Sequence, residues 1–261
     1  MRKYHLQFVL KIVPVNVITI KWGDHYGPHY VNRLFAGVQR NLSAAFRFVC
    51  FTDNSEGIRP EVEVYPLPEI NLQAATHFTN GRKLGLFQTG IGDLDGPCLY
   101  FDLDIIIVRS IDCFFEYLPG KFCVCREWLP PNKRLLNKLF HNPVGVNTSI
   151  FRFEANAMQF VIDRMNEEPE ILKNVKLEQG WVTHVIGDQL NWWPSEWVSS
   201  FKHRRPVYPL SLFWSPVLPP KTRVMVFNGP LKPSHAAKGN FELSPRRVCR
   251  SAQWATENWI D

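Results

Sequence analysis

Two aspartates one residue apart, set inside an apolar run, constrain this chain more than any other stretch: Pro97-Cys98-Leu99-Tyr100-Phe101-Asp102-Leu103-Asp104-Ile105-Ile106-Ile107-Val108. The flanking residues read as buried strand. In an extended backbone, residues two apart face the same side at about 6.5–7 Å between Cα atoms. Carboxylates held that close repel unless a proton or a cation lies between them. Both reach one hard divalent ion, directly or through its waters. A core would not choose this arrangement for stability, so the stretch reads as a metal-holding edge.

The rest of the chain alternates strand and helix signals. Residues 15–22 form a β-branched strand that stops at Gly23-Asp24. A helix is predicted from about Pro28 to Leu42, with Val31, Leu34, Phe35, Val38 and Leu42 on one face and Pro28 in its first turn. Phe46 to Phe51 returns as a strand ending at Thr52-Asp53-Asn54, which completes a right-handed parallel crossover. A short helix is expected at 82–87, strands at 122–127, 149–153 and 223–227, a helix at 155–168, and a short helix in the tail from Ser251. Asp93 and Asp95 form a second acid pair, but Gly92, Gly96 and Pro97 around them mark a surface turn. Asp102 and Asp104 follow a strand, where open α/β sheets bind their ligands, so position favours the later pair.

Composition narrows the function classes. With 45% hydrophobic and 21% charged residues, the 261-residue chain suits a globular protein with a sizeable core. No repeat, low-complexity tract or linker divides it, so one mixed α/β domain is expected over 1–261. Its nucleotide-binding half would be about 15–110, its acceptor half about 120–235 and its tail 236–261. The formal charge of +6 is scattered, and no nucleic-acid module or long basic stripe is present, so no nucleic-acid partner is expected. A mild basic excess suits phosphorylated small molecules or an anionic surface better. The six Cys match no zinc spacing, and four lie in apolar runs as small hydrophobes. No transmembrane run or cleavable leader pattern is visible, so a cytoplasmic location is the default. The basic tail with Trp254 and Trp259 is compatible with peripheral contact at the inner face of a membrane.

Neither a dinucleotide glycine fingerprint nor a Walker loop is present. Set beside Thr19-Ile20-Lys21-Trp22-Gly23 with Tyr26, Phe51-Thr52-Asp53, Arg82-Lys83-Leu84, Gly187-Asp188-Gln189 and Gly229-Pro230-Leu231-Lys232-Pro233, the Phe101-Asp102-Leu103-Asp104 segment completes an ordered set. In that order the chain resembles a GT-A fold nucleotide-sugar glycosyltransferase, near the retaining galactosyl/glucosyltransferase and glycogenin-like group. Each piece is short; the ordered set, spanning residues 15 to 233, is what is specific.

The resemblance implies a mixed, mostly parallel sheet flanked by helices and a hexose transfer from a nucleotide diphosphate sugar, UDP-linked by preference, to a saccharide or glycolipid acceptor. It implies that Thr19, Lys21, Trp22 and Asp53 line the base and ribose, and that Lys83 approaches the nucleotide-sugar. Asp102 and Asp104 would bind Mn²⁺ or Mg²⁺, Gly229 would let backbone approach phosphate, and Lys232 would hold the departing diphosphate. Asp188 would face the sugar or the acceptor hydroxyl, with Gln189 beside it toward the acceptor; the paired Trp192 and Trp193, next to Asn191 and Pro194, suit either a core position or a sugar-stacking acceptor wall. The group's usual third metal ligand is a His; here that position is Asn228, a weaker oxygen donor. His235 lies seven residues on, where a solvent-exposed loop residue is the simpler reading.

Two other classes stay open. A nucleotidyltransferase also uses paired acids on an α/β sheet, but Lys21-Trp22-Gly23-Asp24 is a poor phosphate loop. A non-catalytic sugar-nucleotide-binding subunit of a polysaccharide assembly complex is kept open by Asn228. Inversion remains open beside retention, with Asp188 as the base it would need.

Overall fold

The computed structural model describes residues 14–70, 81–129, 139, 145–175, 178–241 and 247–261. Its first unit is β1 Val15–Lys21, α1 Pro28–Asn41 and β2 Phe46–Thr52, with β1 and β2 paired in parallel. Pro28 stands in the first turn of α1, where its missing N–H costs nothing. Val31, Leu34, Phe35 and Val38 are buried, as their spacing requires.

β3 Glu63–Tyr65 extends this side of the sheet, and a 3₁₀ segment over Gly81–Phe87 leads to β4 Pro97–Phe101. β5 Ile105–Ile107, α2 Cys113–Glu116, β6 Cys123–Arg126 and β7 Val146–Glu154 follow. Then come α3 Phe160–Glu167, α4 Pro169–Asn174, α5 Glu178–Ile186 and β8 Asn191–Trp192. β9 Val198–Ser200, α6 Phe201–Arg204, β10 Val224–Val226, α7 Pro233–Lys238 and α8 Gln253–Asn258 complete the described chain.

Seven strands form a mostly parallel sheet in the order β3-β2-β1-β4-β7-β6-β8, with β7 antiparallel to both its neighbours. Alternate residues of β1 feed two cores: Val17 packs with α1, whereas Ile18 and Ile20 pack with Leu84, Trp181 and the α3 and α5 side chains. The chain winds outward from β1 through β2 to β3, then returns to β4 on the other side of β1. The carboxyl ends of β1 and β4 therefore flank a topological switch point, the place where such sheets leave a crevice.

Three local expectations change. The apolar run does not continue as one strand, because the chain turns at Asp102–Asp104 and β5 joins a second sheet, β5-β10-β9. The helix expected at 155–168 starts at Phe160, since Asn156 takes a left-handed φ of 64° and turns the chain first. The tail tryptophans expected to face a membrane turn inward. Trp259 is buried, with its ring 5.1 Å from that of Tyr30, and Trp254 Nε1–H donates to Pro216 O at 2.9 Å. Among the described residues no helix is long and apolar enough to cross a membrane.

Candidate functional site

Asp102 is the first residue beyond β4, and Tyr100, two residues earlier, lies on the same side of the strand. The Tyr100 hydroxyl donates to Asp102 Oδ1 at 2.8 Å, and Lys83 Nζ meets the same oxygen at 2.7 Å. Lys83 is only 3% exposed, so this is not the solvated helix lysine that its short segment alone would suggest. Its ammonium also donates to Thr148 O at 3.2 Å and Oγ1 at 3.4 Å, and lies 5.1 Å from the Tyr100 ring centre. The Thr148 hydroxyl donates in turn to Glu178 Oε1 at 3.0 Å. Glu178 opens α5 and is buried, and its Oε2 has no hydrogen-bond partner among the described residues. Burial, then the Asp102 charge, pushes the Tyr100 phenol well above its usual range, so it stays a donor.

Asp104 carries a parallel arrangement. Its Oδ2 accepts from the Tyr26 hydroxyl at 2.7 Å and from Lys232 Nζ at 3.0 Å, while its backbone oxygen accepts from Phe227 N–H at 3.0 Å. Lys232 also donates to the Tyr26 hydroxyl. Tyr26 lies in the loop after β1, so this bond spans the crevice between β1 and β4. Burial, followed by repulsion from Asp102, raises the Asp104 pKa; Lys232 and Tyr26 act in the opposite direction. Burial and Asp104 push the Tyr26 phenol up as well.

Each aspartate thus has one oxygen pinned by a lysine and a tyrosine. Asp102 Oδ2 and Asp104 Oδ1 accept no hydrogen bond among the described residues. Two such carboxylate oxygens on mutually repelling acids suit a hard, oxygen-ligated cation such as Mg²⁺ or Mn²⁺. Among the described residues no group of three His, Cys, Asp or Glu side chains is gathered around a metal position. Asn228 Oδ1 accepts from the Ser200 hydroxyl at 2.5 Å, and Ser200 Oγ is 3.1 Å from His203 Nδ1. His235 is not a loop residue: its Nδ1 accepts the Lys232 N–H at 2.9 Å and caps α7.

The other residues singled out by sequence divide into two groups. At the carboxyl ends of β1 and β2, the Asp53 carboxylate accepts from Gly23 N–H at 2.9 Å, and the buried Lys21 reaches Asn54 O at 3.2 Å. Trp22 is half-buried beside them, whereas Thr19 is fully buried and donates to Phe101 O at 2.9 Å, tying β1 to β4. Gly229 has φ 117°, a conformation side chains resist, in the loop that delivers Lys232. Away from this crevice, Asp188 and Gln189 sit exposed just past the far end of α5. At 1.5 Å rise per residue, α5 carries the chain about 13 Å from Glu178 toward them. Trp192 is half-buried, with the Arg126 guanidinium 4.9 Å from its ring centre. Trp193 belongs to the core: it is 4% exposed, its ring lies 4.9 Å from that of Phe114, and its Nε1–H donates to Ile150 O. Asp93 and Asp95 are exposed in the turn before β4, at the opposite end of that strand from Asp102.

Tyr26, Tyr100, Thr148 and Glu178 were given no role by sequence reasoning. The spacing of two between Tyr100 and Asp102 was an available signal; Glu178 had none, because its partners come from residues 83 and 148.

No family model matches the sequence, and no curated protein matches it. Solved structures do. The galactosyltransferase LgtC, in complex with donor and acceptor sugar analogues, superposes with a TM-score of 0.59 at 15% identity, over 85% of this chain and 90% of that one. An active-site mutant of LgtC gives 0.62 at 14% identity, covering 93% and 94%. The glycosyltransferase GlyE of Streptococcus pneumoniae gives 0.55 at 14% identity, over 90% of this chain and 58% of that one. The bifunctional glycosyltransferase WbbM gives 0.54 at 14% identity, over 84% and 46%. The chain spans about half the length of the last two. Its fold is the GT-A glycosyltransferase fold.

Proposed function

We propose that the protein is a glycosyltransferase that moves a hexose from a nucleoside diphosphate sugar, UDP-linked by preference, to a saccharide acceptor, in a divalent-metal-dependent reaction. The observation that carries this reading is the pair Asp102 and Asp104, each fixed by a lysine and a tyrosine at the switch point of a GT-A sheet. Asp102 Oδ2 and Asp104 Oδ1 would hold Mn²⁺ or Mg²⁺, with Asn228 able to contribute its amide oxygen. When bound, the ion neutralises the diphosphate and stabilises it as a leaving group. Lys232 would exchange its bond to Asp104 for the departing diphosphate, and Gly229 lets the backbone approach it. Asp53, Lys21 and Trp22 would shape the base and ribose side of the crevice.

The two carboxylates at the ends of α5 take different roles in this reading. Glu178, through Thr148 and Lys83, fixes the orientation of Asp102 on the donor side. Asp188, with Gln189 and Trp192, faces the acceptor side.

Release of nucleoside diphosphate from a panel of nucleotide sugars, followed with Mn²⁺ and saccharide acceptors, tests the proposal. Turnover abolished by Asp104→Ala supports it. A second reading, a sugar-nucleotide-binding subunit without turnover, is favoured by the Asn228 amide already held by Ser200. Tight, metal-dependent nucleotide binding with no release under any acceptor would select it.

A further inference from the structure

The segment from Val207 to Val217 carries six of the twelve large apolar side chains exposed in the described chain, including the three most exposed. Val207 is 68% exposed, Phe213 70%, Trp214 59% and Val217 77%, with Tyr208 and Leu210 also exposed. So many large apolar groups in one short segment exceed the scattered exposure of ordinary surfaces and mark a contact face. The backbone beneath them is ordered. Ser211 N–H donates to Val207 O and Phe213 N–H to Leu210 O, both at 3.0 Å. Arg250 donates to Leu212 O at 3.3 Å, and Trp254 anchors Pro216. The fold therefore holds these side chains outward in a fixed turn.

The chain that carries this face is rich in cations, although Lys221 pairs with Glu196 and Lys232 with Asp104. From Trp197 to Phe241 the chain has no Asp or Glu and seven Lys or Arg. A cavity of about 250 Å³ is lined by Phe201, Phe227, Lys202, Arg205 and Arg247, and the Phe201 ring lies 6.2 Å from the ring of Trp254, which holds Pro216 of the turn. Asn228 also lines it, so the cavity adjoins the loop that delivers Lys232 to Asp104. Aromatic and aliphatic side chains on a segment flanked by Lys202, Arg205 and Arg247 match a bilayer surface that offers acyl chains and anionic phosphate together.

We infer that the Val207–Val217 turn and the Lys202/Arg205/Arg247 cavity form a docking face for an anionic lipid bilayer, with Phe213 and Trp214 entering the interface and a lipid phosphate seated in the cavity. The contact is made by this internal turn and not by the tail tryptophans, which are committed to the core. Docking here places the loop that carries Lys232 beside the membrane surface. The face stands on its own geometry and does not require the transferase reading.

Co-sedimentation with vesicles tests it without any nucleotide or acceptor. The full chain is expected to bind phosphatidylcholine vesicles containing phosphatidylglycerol and to leave pure phosphatidylcholine vesicles largely unbound. Phe213→Ser/Trp214→Ser removes exposed side chains only, so it should melt like the unaltered chain while its partitioning falls by at least about tenfold. Lys202→Glu/Arg247→Glu should lose at least about tenfold as well, and high salt should weaken the unaltered chain in the same way. Absence of binding to the anionic vesicles, or binding that neither double variant weakens, overturns the inference. A dimer in light scattering that Phe213→Ser/Trp214→Ser dissolves also overturns it, assigning the face to a second copy.

Discussion

Lys232 and Asp104, 128 residues apart in sequence, meet at 3.0 Å on the crevice side of β4, and Tyr26 joins them. The contact closes one half of the carboxylate pair as Lys83 closes the other. Four charges of alternating sign then neutralise one another in a half-buried site, where unpaired acids would be expensive. The arrangement holds two oxygens in place while leaving their partners on the same carboxylates open.

Lys83 should be the costlier lysine to remove. It is nearly inaccessible and serves both Asp102 and Thr148, so Lys83→Met leaves Asp102 without its countercharge and the Thr148 carbonyl without its donor. Because Asp102 keeps some solvent contact, the expected loss is about 2 kcal/mol, below that for a fully buried pair. A fall of roughly 4–8 °C in the thermal midpoint would show it. A midpoint unchanged within error would mean that the ion pair contributes nothing to the fold.

Glu178 and Asp188 should separate stability from turnover. Glu178→Gln keeps the volume, removes a buried carboxylate with an unpartnered oxygen, and should leave the chain as stable or slightly more so. Its nucleotide-sugar turnover should fall by about tenfold or more, because the Thr148 hydroxyl then bonds a neutral amide and holds Lys83 and Asp102 less firmly. Asp188→Asn lies at an exposed helix end and should raise the KM for acceptor with little effect on donor binding. Steady-state kinetics on both variants, paired with urea unfolding, check the contrast. Equal effects on donor turnover would remove the division of roles.

The tryptophan pair should split in the opposite way. Trp193→Ala opens a core cavity beside Phe114 and should cost about 3–5 kcal/mol in urea unfolding. Trp192→Ala should cost about 1 kcal/mol or less, since that ring is half-exposed and its partner is Arg126. Similar losses at the two sites would contradict the packing described.

A pH dependence follows from His235. Burial, then the Lys232 charge, lowers its pKa below the ordinary 6.5. The unfolded chain then takes up the proton first, so the stability present above pH 6.5 is lost as pH falls through it. Protonation also ends the acceptance of the Lys232 N–H that caps α7. Thermal midpoints should fall more steeply below pH 6.5 for the unaltered chain than for His235→Gln; parallel curves would exclude the cap as the titrating element.

Much of this fold is legible in the sequence because its first unit is local. The β1–α1–β2 crossover shows in apolar periodicity, Pro28 and the turn at Thr52-Asp53-Asn54, which need no distant partner. The Asp102–Asp104 pair stands out for the same reason, its strand context lying within a few residues. What stayed hidden is non-local. That Ile105–Ile107 leaves the main sheet depends on β10, more than a hundred residues later. Glu178 gains its place only when β7 and the Gly81–Phe87 segment pack beside α5. Nor could the tail show that Trp259 would be taken by Tyr30, or that Phe213 and Trp214 would be left outside.

Calorimetric titration of UDP, with Mn²⁺ present and then with the metal chelated, reaches the central claim most directly. The account predicts binding that requires the metal and disappears in Asp104→Asn, because the diphosphate is held through the aspartate pair and Lys232. UDP binding of equal affinity with and without the metal, and unchanged in Asp104→Asn, would contradict it.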